Sequence, residues 1–360
     1  MRILYLINFA GKAGTEKYVE NLVRIFGAAG HECHFAYNDP GELSEKMEAA
    51  SVPSIRLNTG RSGFFSAPKS LADYCRVNKI DVIHAQYPRE NIIALMAKSH
   101  YKSMKVVYTN HLTIRVGAKW KLLNRIFTPK NHRIIAVCHE GRDIMISNGV
   151  PADKISVIYN GVEPDPNPKS DKSVLNELGI PEDSFVLSIL ARYAPEKGLN
   201  FLLDSMKVLK TMTKKRFHLI ICGDGELFES VKSRRDELGL TDTVIMTGYR
   251  TDVPRILSAS DLYLNSSECN EALSFAILEA MNAGKPLVVT DVGGNRDLAE
   301  NKIVCGEVVN YGDTSGFASA VLRFIDDSDY LEKMGTAASE KISKRFDLNT
   351  LAWDVFETYK

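Results

Sequence analysis

The six cysteines of this 360-residue chain (Cys33, Cys75, Cys138, Cys222, Cys269 and Cys305) are scattered, and no two form a C-x-x-C pair. That argues against a disulfide framework or a zinc site and predicts reduced thiols in a cytoplasmic compartment. No stretch approaches the roughly 18 apolar residues of a membrane span. The apolar run after Arg2 breaks at Asn8 and lacks a small-residue cleavage site, so it reads as a first strand and not as a signal peptide. There is no low-complexity tract and no repeat with a period of about 20–50 residues. Net charge is absent too, with 45 basic side chains against 45 acidic ones, and no nucleic-acid partner is expected.

What is present is an ordinary globular composition, 44% hydrophobic and 25% charged, in a chain long enough for two domains. Short apolar, β-branched runs alternate with helical periodicity throughout. The runs at 2–8, 33–38, 81–86, 105–111, 133–138 and 155–160 predict strands of a first domain. Those at 185–191, 217–223, 243–248, 261–267 and 286–292 predict strands of a second. Near-continuous apolar runs suit parallel strands covered on both faces. Three prolines within 164–168 interrupt the alternation as a linker would. The expectation is an α/β chain with two doubly wound, Rossmann-like domains facing a central cleft.

In such sheets ligands bind beyond the carboxyl ends of the strands, and several polar groups fall there. Gly11 and Gly14 open a helix after the first strand, offering amides to a phosphate. The spacing is not G-x-G-x-x-G, and no acidic residue is read at the end of the second strand. Arg192 and Lys197 follow the 185–191 strand, where a guanidinium and an ammonium could clamp a diphosphate. Gly223 lies in a two-glycine turn, and Tyr249 and Arg250 at another strand exit. Glu271 precedes a short apolar helix that contains Glu279; a carboxylate there could accept hydrogen bonds from a ribose cis-diol, or simply be a paired structural glutamate.

The stretches GTEKYV (Gly14 to Val19), PADKISVIYNGVE (Pro151 to Glu163), ARYAPEKG (Ala191 to Gly198), CGDGE (Cys222 to Glu226) and ECNEALSFAILEAMNAGKPLVVTDVGG (Glu268 to Gly294) occur in this order. Together they make the chain resemble the family 4 retaining glycosyltransferases of the GT-B fold, nearly end to end. The resemblance implies a transferase moving a sugar from a nucleotide-diphosphate donor, UDP-linked by expectation, to a glycan, lipid-linked or other envelope acceptor. It implies that Glu271 contacts the transferred sugar, Glu279 the ribose, and Arg192 with Lys197 the diphosphate. Amides near Ala272, Leu273, Ser274 and Phe275 would hold sugar and phosphate oxygens. Gly14 would close over the phosphate, Gly223 and the Tyr249–Arg250 loop would border the donor, and His111 would lie close to the sugar. Configuration would be retained by same-face attack, with neither metal nor cofactor. Leu273, Ser274, Asp297, Cys138 and Glu163 depart from the family's usual residues.

Domain limits are placed at 1–163, completed by a returning helix at 346–360, then a linker at 164–173 and a second domain at 174–345. Acceptor contacts are expected near Gly60 to Pro68 and Gln86 to Glu90. Two other readings use the same fold, a nucleotide-sugar epimerase and a phosphorylase, although no pyridoxal lysine motif is found; a third is a non-catalytic binding protein. From Lys98 to Arg133 there are nine basic residues and no acidic one. Within it Ala118 to Phe127 has helical spacing, with Trp120, Leu123 and Phe127 on one side. That segment is expected either at an anionic membrane surface, peripheral to the inner face, or in the core through Leu122 and Ile126.

Overall fold

The computed structural model describes residues 1–60, 62–166 and 170–360. Arg61, in one expected acceptor loop, and Asn167, Pro168 and Lys169, in the expected linker, lie outside the described residues. Two compact units emerge: Met1–Asn160 with Asn349–Lys360, and Gly161–Leu348.

The first unit is built on seven parallel strands: β1 (Arg2–Phe9), β2 (Glu32–Asp39), β3 (Ser54–Arg56), β4 (Val82–Ala85), β5 (Lys105–Asn110), β6 (Arg133–Ala136) and β7 (Ile155–Val157). They lie in the order β3-β2-β1-β4-β5-β6-β7. The second has six: β8 (Phe185–Leu190), β9 (Phe217–Cys222), β10 (Val244–Gly248), β11 (Leu262–Asn265), β12 (Leu287–Thr290) and β13 (Gly306–Val309), ordered β10-β9-β8-β11-β12-β13. The α/β, doubly wound reading is confirmed. Ile3 to Ile7 and Leu219 to Ile221 are fully buried, which is why these strands read as unbroken apolar runs.

Two strands escape the sequence reading, β3 and β13, and both are sheet edges. Ser54–Arg56 (SIR) and Gly306–Val309 (GEVV) each set a charged residue within three or four positions, so neither reads as an apolar run, whereas the apolar edges β7 and β10 do. A further correction concerns β2: it runs on to Asp39, so an acidic residue does end the second strand, and it is exposed.

Each sheet reverses direction beside its first strand, between β1 and β4 and between β8 and β11. Loops leaving these neighbours diverge and open a crevice at the carboxyl ends, the usual seat of a ligand in this architecture.

The C-terminal helix Leu348–Glu357 packs its aromatic side on Phe26 of the first unit, whose ring centroid lies 5.7 Å from Trp353, 5.4 Å from Phe356 and 6.0 Å from Tyr359. Helix Ala118–Phe127 has no fully buried residue. Leu122 and Ile126, read as able to fill the core, instead face solvent at 58% and 49% exposure. Leu123 and Phe127, read as an outward face with Trp120, are half-buried. The reason is packing: Phe127 leans on the core cluster around Leu95 and Met104, and Asn124 donates to the Asn148 carbonyl at 2.9 Å.

Candidate active site

Beyond β8 the chain makes a short turn, Pro195–Lys197, that ends on Gly198 in the left-handed region (φ 60°). A Cβ on Gly198 would lie 2.1 Å from the Ser266 carbonyl oxygen, so only glycine lets this turn press against the exit of β11. Two hydrogen bonds seal the contact: Ser266 Oγ donates to the Lys197 carbonyl (2.8 Å) and the Glu268 amide to the Glu196 carbonyl (2.9 Å).

This closeness delivers Lys197 Nζ to Glu271 Oε2 at 2.6 Å, and Ser267 Oγ donates to the same oxygen at 2.7 Å. Glu271 is buried and Lys197 is 25% exposed, whereas Arg192 is 69% exposed and paired with Glu196. The backbone of Glu271 is clamped from behind: a Cβ on Gly293 (φ 59°) would lie 1.5 Å from its carbonyl oxygen, and the Gly294 amide donates to the Ala272 carbonyl at 2.7 Å. Ser267 is held in turn by Thr290 Oγ1 at its carbonyl (2.6 Å) and by Asn265 Oδ1 at its amide (3.1 Å). Ser267, Asn265 and Thr290 were not singled out from sequence. Their position at the ends of β11 and β12 was the available signal.

Ser274 caps helix Phe275–Asn282, its Oγ accepting from the Ile277 amide at 3.4 Å. First-turn amides of a helix have no intrahelical acceptor and favour anions. Ile277, Leu278, Ala280 and Met281 are buried while Phe275 and Glu279 are half-buried. Glu279 therefore lies on the stripe of the apolar helix that does not enter the core. Leu273 and Ser274 are buried and Ala272 half-buried.

Gly223 (φ 147°) passes so close to the β8 exit that a Cβ would meet the Ala191 carbonyl at 2.0 Å. Tyr249 is exposed. Arg250 is engaged by Asp252 (2.6 Å) and Glu177 (2.7 Å), and Arg250 holds the Asp252 carboxyl down at about 2.

His111 and Gly14 belong to the first unit. Gly14 is exposed at the start of helix Gly14–Ala28. In that helix's first turn, buried Glu16 has a pKa raised by burial and partly restrained by its own amide and those of Gly11 and Ala13, so a carboxylate already faces the loop amides offered to a phosphate. His111 follows β5, its Nε2 lies 2.9 Å from Gln86 Oε1, and the Tyr18 ring meets it edge-on at 5.0 Å. Burial lowers the His111 pKa to about 3. Cys138 occupies the N-cap of helix His139–Ser147, its thiol taking the Gly141 amide at 3.3 Å as a serine hydroxyl would. Asp327, which opens the string Asp327-Ser328-Asp329, caps helix Ser328–Arg345, its carboxylate accepting from the Tyr330 amide at 2.8 Å. Among the described residues no cluster of His, Cys, Asp and Glu has the form of a metal site.

Two family models match, "Glycosyltransferase Family 4" over residues 13–166 and "Glycosyl transferases group 1" over residues 171–341. The chain belongs to the family 4 glycosyltransferases of the GT-B fold, and it is an enzyme of that class. It is 28% identical over 322 residues to the Escherichia coli UDP-Gal:alpha-D-GlcNAc-diphosphoundecaprenol alpha-1,3-galactosyltransferase, covering 85% of this chain and 82% of that one. It is 26% identical over 359 residues to N-acetyl-alpha-D-glucosaminyl L-malate synthase of Bacillus anthracis, covering 94% and 90%. In fold it resembles Anabaena HepE solved in complex with UDP, with a TM-score of 0.85, 22% identity and 99% of each chain covered.

Proposed function

We propose that this glycosyltransferase moves a hexose from a UDP-linked donor to a lipid-linked or glycan envelope acceptor, with retention of configuration and without a metal. The observation that carries the reading is the Lys197–Glu271 contact at the β8/β11 switch point, beside the N-terminus of the helix bearing Glu279. In this reading Lys197 turns from Glu271 to the donor's diphosphate, Arg192 leaves Glu196 to meet the same charge, and Glu271 is freed for sugar hydroxyls. Glu279 accepts from the ribose diol. The sugar C1–O bond to the diphosphate breaks, the acceptor oxygen bonds to C1 on the same face, and the acceptor's proton passes to the departing phosphate oxygen. Charge developing on that oxygen is met by Arg192, Lys197 and helix amides. The names of the Escherichia coli relative and the UDP-bound Anabaena structure support a UDP donor and a lipid-linked acceptor. A thermal-shift screen of nucleotide sugars tests it first, because a ligand at about 100 times its dissociation constant stabilises by roughly 2.7 kcal/mol. Transfer assays in excess chelator then follow. No shift with any UDP-sugar, or abolition by chelator, contradicts the reading.

Helix Ala118–Phe127 favours an acceptor at a membrane. Its outward side sets exposed Leu122 and Ile126 between Lys119 and Arg125, and its inner side is held by the protein. Apolar side chains flanked by cations suit the interface of an anionic bilayer, each cation contributing about 1 kcal/mol that salt removes. Among the described residues no helix is long and apolar enough to cross a membrane, so attachment here would be peripheral, at the inner face. Salt-sensitive co-sedimentation with anionic but not neutral vesicles, weakened by Lys119→Glu with Arg125→Glu, is expected. Failure to sediment at low salt would leave a soluble acceptor.

A further inference from the structure

We infer that Gln86 is a positioning residue of the active site, holding His111 as the Nε2–H tautomer so that Nδ1 is presented as an acceptor for a hydroxyl of the transferred sugar. This rests on the reading above that His111 faces that sugar.

Hydrogen-bond geometry alone orients the two side chains. Gln86 follows β4 directly, its backbone amide donates to the Leu6 carbonyl of β1 (3.1 Å), and its side chain is wholly buried. One end of its amide lies 3.1 Å from the His84 carbonyl oxygen. A carbonyl only accepts, so that end is the NH2 group. The other end is Oε1, which also only accepts, 2.9 Å from His111 Nε2. Nε2 must then carry hydrogen. A neutral imidazole has one donor and one acceptor, which leaves the lone pair on Nδ1. No other hydrogen bond of His111 is present among the described residues.

The surroundings keep the ring neutral and still. The titratable groups facing it are Tyr18, at 5.0 Å, and His84. Burial pushes the Tyr18 hydroxyl upward and lowers His84 to about 3, so neither supplies a charge. His84 is fixed by Tyr359 and Thr109, each at 2.7 Å, and Thr109 Oγ1 meets Tyr18 OH at 3.2 Å. The carbonyl that orients Gln86 thus belongs to a residue tied to the C-terminal segment. Protonated His111 would offer Nδ1 as a donor and lose its acceptor role. Gln86→Glu tests this, because a carboxylate beside the ring favours the imidazolium.

Nitrogen-15 NMR of the histidine-labelled, ligand-free protein reads the tautomer directly. The expected result is protonated Nε2, bare Nδ1 and no titration of His111 through the neutral range. In Gln86→Glu, His111 titrates there, and kcat gains a matching loss on the acid side. In Gln86→Leu the tautomers mix, and kcat falls about threefold to tenfold with KM for the donor little changed. A wild-type Nδ1 that carries the proton overturns the inference even if neither variant folds. So do folded variants with unaltered tautomer, titration and kcat. Absence of transfer in a wild-type protein with the expected tautomer counts against the transferase reading, not against the role of Gln86 in orienting the ring.

Discussion

At the carboxyl ends of β4 and β5 the first unit gathers polar groups, His84, Gln86 and Thr109 buried and His111 half-buried, with Tyr18 of helix Gly14–Ala28 against them, and none of them carries a charge. Beyond β8 and β11 the second unit gathers charges: Arg192, Glu196, Lys197, Glu271 and Glu279, several of them already paired. The central strand order is the same in both sheets. A doubly wound sheet therefore says where a site lies without saying which chemistry fills it. Ionic pairs suit a ligand that brings its own charge, since the pair can open and the cation be re-paired. Neutral hydrogen-bonding groups suit hydroxyls and need rigid orientation more than charge.

The hardest blow to this contrast is Lys197→Ala, which takes from the second unit's site the cation that pairs with buried Glu271 at 2.6 Å. Charge-assisted bonds contribute about 1.5–3 kcal/mol, so turnover should fall by roughly tenfold to a hundredfold, and Arg192→Ala should sit at the low end of that range. Wild-type turnover in a Lys197→Ala protein with intact circular dichroism would remove the clamp from the account.

Acid should separate the units next. His84 and His111 have folded pKa values near about 3 against an ordinary 6.5, so the unfolded chain binds more protons at low pH. The stability of keeping them neutral is present above 6.5 and is lost progressively as pH falls toward about 3. In the second unit, Asp252 is held down at about 2 from an ordinary 3.8, so its contribution is whole above 3.8 and fades as pH falls from there toward about 2. Hydrogen exchange followed down the pH scale should show β4 and β5 losing protection before β8 and β11. The reverse order would contradict the assignment of neutral histidines to the first unit.

The smallest effect expected is Tyr359→Phe, which deletes the hydroxyl 2.7 Å from His84 Nδ1. One neutral hydrogen bond is worth about 1 kcal/mol, with a further cost if His84 Nδ1 is left unsatisfied. The first unit's thermal midpoint should fall by a few degrees while nucleotide binding holds; unchanged stability would show that the C-terminal tie is idle.

The central strands were legible because burial on both faces writes itself as unbroken apolar runs, as in Ile3 to Ile7. Edge strands β3 and β13 were not, because Ser54–Arg56 and Gly306–Val309 each set a charged residue within three or four positions. Periodicity showed that Ala118–Phe127 would be helical, but two apolar pairs lay on opposite sides of it. Only the position of Phe127 against the core decides that Leu122 and Ile126 face outward. Around the candidate site, charged residues could be placed beyond strand ends from sequence. The partners they take could not, since Lys197 and Glu271 are 74 positions apart and Gln86 meets His111 across 25.

Calorimetric titration with UDP alone, on the wild type and on Glu279→Ala and Glu271→Ala, tests the central claim that the second unit's carboxylates divide one donor between them. Glu279→Ala should weaken nucleotide binding by about tenfold or more, the loss of hydrogen bonds to a charged group. Glu271→Ala should leave that binding nearly unchanged while depressing sugar transfer. Equal losses for both variants, or none for either, would contradict it.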